Sequence, residues 1–597
     1  MPSIKQKFAG FFRQISNSGG GECLENANQI KPIHPSDSNS GCFIHRYLNG
    51  ETRLKQPDIL FGRTGQELPC LRLCTLQGEI IATHTGPDGG LTTVNRGQRG
   101  HVTSQDPDVS YIDSEDDVGS PPTTNSSEPT SNSVSAAGQS EPLSDQYLAN
   151  QEESLAKEPE PPATTTEATE PEIEIAGVVN WNRPSGIAFG AATSLYERHP
   201  VSGETAGNPL ADAFAIVTRS NNALLCLADG VNWGERAALA ARSAIHGAMD
   251  YLNRALFTST TNSRQLTTSD VFLSLLRSFH AAHSMILQEG GLLTTLTAAV
   301  VAQMDQSSLQ NALYTGSDNS NSAKFAVCVC NVGDSLAYVY SPKHGVREIT
   351  HGNNLVLINL STLSSHSSAA HSSSLGSHDV QSMRDMRDAL GALGPVDGQN
   401  PELNNLTCSM TVIEEGDIVF LTSDGISDNF DPVVGKFVVA RKPDKIVPLP
   451  NGAKQTAKPP NRNLPTVEAF QRHELTLLRM EDILRNGMMP TNDNGNHLKA
   501  QQLCEDLVDF ATRLTTAKRR LLEDLELYVD QDGKTLDAEE QKIRRRKICE
   551  RLAMIPGKLD HATCVAYEAR IQPVTGTEAD ALTHQMVASY PFRESSI

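Results

Sequence analysis

Short runs of apolar, partly β-branched residues recur along the second half of the chain, at 189–192, 213–217, 224–228, 296–302, 325–331, 336–340, 418–422 and 564–567. Each is too short for a helix and is flanked on at least one side by a polar residue, as buried strands are. Two longer stretches, 235–256 and 269–287, instead repeat their apolar residues at helical spacing. The helices follow directly on a strand and turn, and the later strands come in adjacent pairs, so the pattern predicts an α+β fold rather than a regular βαβ alternation. Three further helical segments are predicted at about 466–488, 497–528 and 536–554.

Elsewhere the pattern changes. Residues 1–40 contain an amphipathic segment in which Phe8, Phe11, Phe12 and Ile15 share one helical face with Lys5, Lys7 and Arg13 around it, a candidate for weak contact with a membrane surface or a partner. Residues 41–100 carry short alternating stretches and predict a small β appendage. Residues 101–175 are Ser, Thr, Pro, Glu and Asp with few large apolar side chains, which predicts a disordered acidic linker. The main domain then spans 176–572, with a Ser/His-rich insertion at 361–380, a helical one at 432–555, and a tail at 573–597. The basic clusters Lys518-Arg519-Arg520 and Arg544-Arg545-Arg546-Lys547 are expected to be solvated helix faces.

Composition narrows the function classes. The 597 residues carry 50 basic and 71 acidic side chains, a net charge of −21, which disfavours a general attraction to nucleic acid. No apolar run is long enough to span a membrane, and no secretory signal precedes the domain. The 11 cysteines include no Cys-x-x-Cys pair, which suits reduced thiols, so a cytoplasmic and also nuclear location is expected rather than secretion.

The chemistry lies in aspartates at the ends of apolar runs. Asp229-Gly230 follows 224–228, Gly333-Asp334-Ser335 follows 325–331, Ser423-Asp424-Gly425 with Asp428 follows 418–422, and Asp560-His561-Ala562-Thr563 runs into the last strand. Oxygen ligands on rigid supports, with glycine allowing close backbone approach, are what a hard divalent cation needs. Singly, each is also an ordinary turn signal.

With Asp212, these motifs and their order resemble the metal-dependent Ser/Thr protein phosphatases of the 2C type, over about residues 177–570. Supporting features are Thr294-Thr295-Leu296-Thr297, similar to the family's Thr-rich strand, Glu348-Ile349-Thr350-His351, and the region from Arg387 to Gly391. The resemblance implies two packed antiparallel β-sheets flanked by helices, and hydrolysis of phosphoserine and phosphothreonine in proteins with Mg2+ or Mn2+. It implies that Asp229 bridges two cations, that the Gly230 carbonyl ligates one, and that Asp424 and Asp560 hold the other. Asp212 would act through water, and Asp334 and Asp428 match a weak third metal site. Two cations roughly 3.5–4 Å apart would activate a bridging water for in-line attack.

The sequence departs from the family pattern in four places. Ala211 stands where the family has Glu, Val231 where it commonly has His, and His561 where it has Asn. The phosphate-binding Arg is placed at Arg198, with long spacing to Asp212. These departures keep open an alternative, a pseudophosphatase acting as a regulatory binding platform. Expected partners are phosphoprotein substrates, with the helical insertion as a further binding surface.

Overall fold

The computed structural model describes residues 43–50, 56–94, 174–257, 265–305, 322–350, 391–441, 464–486 and 498–572. The amphipathic segment at 4–15, almost all of the acidic linker, the Ser/His insertion, His351, Arg387 and the tail beyond 572 lie outside them.

In chain order, α1 (Phe43–Leu48), β1 (Leu60–Gly62), β2 (Ile80–Gly86), β3 (Asn182–Arg183), β4 (Ala188–Ser194), β5 (Ala213–Arg219) and β6 (Asn222–Ala228) precede two long helices, α2 (Glu235–Phe257) and α3 (Thr268–Glu289). Then come β7 (Leu296–Gln303), β8 (Lys324–Val332), β9 (Leu336–Ser341), β10 (Gly345–Glu348), β11 (Ala392–Asp397), β12 (Asn400–Glu402), β13 (Thr407–Glu414) and β14 (Ile418–Thr422). A short helix, α4 (Asp424–Phe430), leads into β15 (Val439–Ala440), β16 (Thr466–Val467), α5 (Ala469–Asn486), α6 (Ala500–Leu522), α7 (Ala538–Met554) and β17 (His561–Glu568).

An eight-stranded sheet runs β1-β13-β8-β7-β6-β5-β2-β3 and a five-stranded one β10-β9-β14-β17-β4, with every pairing in these two sheets antiparallel. β5 and β6 are buried at every position. The reason is visible in which side chains go where. Phe214, Ile216, Leu225 and Leu227 meet Val339, Val419, Leu421 and Val565 between the sheets. The alternate residues Ala215, Val217, Leu224 and Cys226 pack instead under Ile245, Met249 and Leu275 of α2 and α3. A strand covered on both faces has no polar face to show, which is why these segments read as unbroken apolar runs. The outer face of the five-stranded sheet (Tyr338, Phe420, Cys564, Ala566) is covered by Leu503 and Leu507 of α6 and Met480 of α5. The predicted α+β fold of two packed antiparallel sheets flanked by helices is therefore the one observed. α3 starts at a capping box, Thr267 with Asp270, and stops at Gly290 in the left-handed region, both punctuation signals present in the sequence.

Residues 41–100 do not form the expected separate β appendage. Leu60 to Gly62 pair with Met410 to Cys408, and β2 pairs with β5, His84 lying opposite Ile216. Their partners are far away in sequence, so local alternation could not give their place. Lys518 also departs from expectation. Rather than lying on a solvated face, its Nζ donates to the Gly557 carbonyl at 2.6 Å, and burial brings its ammonium down to about 8.

One buried ring yields a pH prediction. His84 lies between Phe189 and Phe214, with ring centroids 5.0 and 5.1 Å away, and its Nδ1 accepts from the Gly190 N–H at 3.1 Å. Burial lowers its pKa to about 4, against about 6.5 in an unfolded chain. Between those values the unfolded state takes up a proton that the folded state refuses. Stability is thus full above about pH 6.5 and falls toward pH 4, by on the order of 3 kcal/mol. Denaturation midpoints of wild type and His84→Gln across this window should show that part of the slope missing from the variant. Equal slopes would remove His84 as the cause.

Candidate active site

The predicted aspartates arrive at the site from both sheets. Asp229 ends β6, where its backbone is fixed on both sides. Its N–H donates to Thr295 Oγ1 at 3.0 Å, and its carbonyl accepts from Thr294 Oγ1 and the Thr295 N–H, each at 2.8 Å. At Gly230 a Cβ would meet the Ala237 carbonyl oxygen at 2.6 Å and that of Ala211 at 3.0 Å, so glycine is required by close backbone approach. Asp334 follows Gly333, whose φ of 97° and contact with Thr295 likewise exclude a side chain. Asn405 holds that turn, its Oδ1 accepting from the Gly333 N–H at 3.1 Å and its Nδ2 donating to the Gly333 carbonyl at 2.8 Å. The hydroxyls of Thr295 and Ser335, 2.7 Å apart, tie the two turns together.

Asp424 opens α4, and Asp428 lies one turn later. Asp560 immediately precedes β17. The start of α4 is held against that strand by the Ser423 N–H donating to the Thr563 carbonyl and the Thr563 N–H donating to Ser423 Oγ, each at 3.0 Å. Insertion of α5 to α7 between them therefore does not separate Asp424 from Asp560. Asp212 is buried just before β5, and neither of its carboxylate oxygens has a hydrogen-bond partner among the described residues.

The electrostatics report the same convergence. Burial first, then the charges of Asp212, Asp424, Asp560 and Asp334, push the Asp229 carboxyl well above the usual carboxylate range. Burial also raises Asp212, partly opposed by His561. Asp560 is pushed up to about 7, burial again leading, with Lys558 pulling it down and Asp424 pushing it up. Such a group calls for positive charge.

A cation is already there. Lys558 Nζ lies 2.5 Å from Asp424, 2.9 Å from Asp560 and 3.0 Å from Asp428. Burial alone would lower its pKa, but the three carboxylates outweigh that and hold the ammonium charged well above its ordinary range. Among the described residues no group of three or more His, Cys, Asp or Glu side chains is arranged to hold a metal ion. The residues thus fit a divalent cation unequally. The half built on Asp229, the Gly230 carbonyl and the unpartnered Asp212 has the right donors. The half between Asp424 and Asp560 is filled by an ammonium.

The four departures have definite places. Ala211 is fully buried, and its N–H donates to His561 Nδ1 at 3.3 Å, while His561 Nε2 lies 2.7 Å from the Gly207 carbonyl. With Nδ1 accepting, Nε2 is the donor to Gly207, so His561 ties the loop before Asp212 to β17. Val231 is half-buried, its N–H donating to Leu293. Arg198 is exposed on the loop after β4, and its backbone N–H donates to Glu523 at 3.0 Å. The sequence reading missed two aromatics. Tyr196 stacks on Trp233 with centroids 5.3 Å apart, and its hydroxyl lies 3.4 Å from Asp560. It also missed Lys558. The available signals were a Tyr just past β4, a Trp four residues after Asp229, and a Lys two residues before Asp560.

Two antiparallel sheets with helices outside thus carry aspartates at strand ends of both sheets. A family model described as protein phosphatase 2C matches residues 201–442. The PP2C-like domain-containing protein CG9801 of Drosophila melanogaster is 34% identical, over 95% of each chain. The chain belongs to this protein phosphatase 2C-like family. Among solved structures, the serine/threonine phosphatase PstP/Ppp of Mycobacterium tuberculosis aligns at 14% identity over 64% of this chain and 98% of its own, with a TM-score of 0.28. Stp1 of Staphylococcus aureus aligns at 13% identity over 64% and 94%, with a TM-score of 0.25. No described helix is long and apolar enough to cross a membrane.

Proposed function

We propose that the chain hydrolyses phosphoserine and phosphothreonine in proteins, with turnover dependent on Mg2+ or Mn2+. The observation that carries this reading is that the charges of Asp212, Asp424, Asp560 and Asp334 all act on the buried Asp229, while Asp424 and Asp560 face one ammonium. A fold would not gather this much like charge in a buried place without a use for it. The roles suggested for Asp229, Gly230, Asp424 and Asp560 as ligands, and for Asp212, Asp334 and Asp428 as supporting groups or a third site, belong to this proposal. Arg198 as the phosphate-binding group does too. The exposed Arg198 would have to bring its guanidinium toward the carboxylates when substrate binds.

Lys558 favours a second reading, a pseudophosphatase in which the scaffold binds partners without turning them over. Its ammonium supplies a positive charge between Asp424 and Asp560, but unlike a divalent ion it cannot take oxygen ligands into an open coordination position. Release of phosphate from a phosphothreonine peptide by the full chain, with Mn2+ and with a chelator, separates the two. Hydrolysis that requires Mn2+ is the expected result. No release at any Mn2+ concentration up to about 10 mM would leave the binding platform.

A further inference from the structure

We infer that Lys558 is a built-in counter-ion that occupies the place between Asp424 and Asp560 where this family's second divalent cation would bind, so that the wild-type chain takes up one fewer such ion at this site. The inference rests on reading Asp424 and Asp560 as cation-binding carboxylates, not on turnover.

Three features show that Lys558 is placed and not merely nearby. Its Nζ is within 3.0 Å of three carboxylates at once, and two of these, Asp424 and Asp428, lie one turn apart on α4. Its backbone is gripped by the buried Asn429, whose Oδ1 accepts from the Lys558 N–H at 2.9 Å and whose Nδ2 donates to the Lys558 carbonyl at 3.0 Å. The preceding Gly557, with φ of 96°, donates to the Val434 carbonyl at 3.1 Å and accepts from Lys518 at 2.6 Å. A Cβ at Gly557 would lie 2.8 Å from the Thr515 side chain, so the chain leaving α7 passes close against α6. The helical insertion thus delivers the lysine, and α4 supplies both its grip and two of its three partners.

A divalent ion bound by Asp424 and Asp560 would need the oxygens that Lys558 now faces, at metal–oxygen distances that leave no room for an ammonium between them. Ion and lysine therefore compete. Removing the lysine leaves the same carboxylates with less positive charge, which destabilises the folded state until a cation replaces it.

The test is the number of Mn2+ ions bound by the full chain, counted by metal analysis after equilibrium dialysis, for wild type, Lys558→Ser and Asp424→Asn/Lys558→Ser. Lys558→Ser is expected to bind one more ion than wild type, or the same last ion about tenfold or more tightly. It should also melt lower than wild type in chelator and recover with Mn2+. The double variant should lose the added ion. Should Lys558→Ser fail to fold even with Mn2+, Asp428→Asn/Lys558→Ser, with one repulsive charge fewer, takes its place with the same expectation. Equal ion number and affinity in wild type and the lysine variant would overturn the inference, and so would an added ion that survives Asp424→Asn. Because the readout is binding, either outcome is independent of whether phosphate is released.

Discussion

Asp229→Asn is expected to reduce Mn2+-dependent phosphate release to background, a loss of about 10²-fold or more, in a protein that stays folded. Asparagine has the shape of aspartate, and the backbone of residue 229 is held by Thr294 and Thr295 rather than through its own carboxylate. The geometry of the turn should therefore survive. What is lost is the negative charge at the point where four other carboxylates act on it. In chelator that loss should be a gain for the fold, because repulsion within the cluster falls by one charge, so the variant should melt at or above the wild-type temperature. Dead activity combined with undiminished stability is the signature of a functional charge. A rate within about threefold of wild type would remove Asp229 from the centre of the site. A large drop in melting temperature would make its role structural.

How far the sequence shows the site depends on whether position is set locally or by distant partners. Asp229, Asp334 and Asp424 were legible because each closes an apolar strand beside a glycine, and the structure shows why glycine is needed, with backbone or Thr295 occupying the space a Cβ would take. The strands of the two cores were legible because burial on both faces leaves unbroken apolar runs at 213–217 and 224–228. β13 was not, although it lies inside the eight-stranded sheet, because Thr407, Ser409 and Thr411 alternate with Cys408, Met410 and Val412, and three buried hydroxyl residues obscured the apolar face. β2 overlaps an alternating stretch of the sequence, but neither it nor β1 could be given a sheet, since only long-range pairing supplies it. Lys558 was invisible for the same reason. A lone lysine after a helix is ordinarily solvated, and only the folding of α4 against the end of the insertion brings Asn429 to its backbone and three carboxylates to its ammonium. His561 looked like a departure from a motif. Its two ring nitrogens in fact bridge Gly207 and Ala211, a positioning role that the spacing of 350 residues concealed.

The approach of α4 to β17 is the tightest junction in the site, and Gly425→Ala should break it. A Cβ at Gly425 would lie 1.8 Å from the His561 carbonyl oxygen and 2.7 Å from its carbon. Both are backbone atoms of a strand paired on both sides, with β14 and with β4, so no rotamer change can relieve the clash. Either α4 moves away or the end of β17 does. The expected destabilisation is about 3 kcal/mol or more, above the usual range for one added methyl group in a core. Because Asp424 is the first residue of α4 and Asp560 the residue before β17, the same displacement pulls apart the two carboxylates that share Lys558. Loss of stability should therefore be accompanied by loss of function at temperatures where the variant is still folded. Gly78→Ala is the control. It lies on the exposed surface with no atom within 4 Å of the added Cβ, and the change there should stay within about 0.5 kcal/mol. Thermal and denaturant midpoints of the two variants decide the matter. A Gly425→Ala protein as stable as the control would mean that α4 does not rest on β17 in the way that brings Asp424 to Asp560.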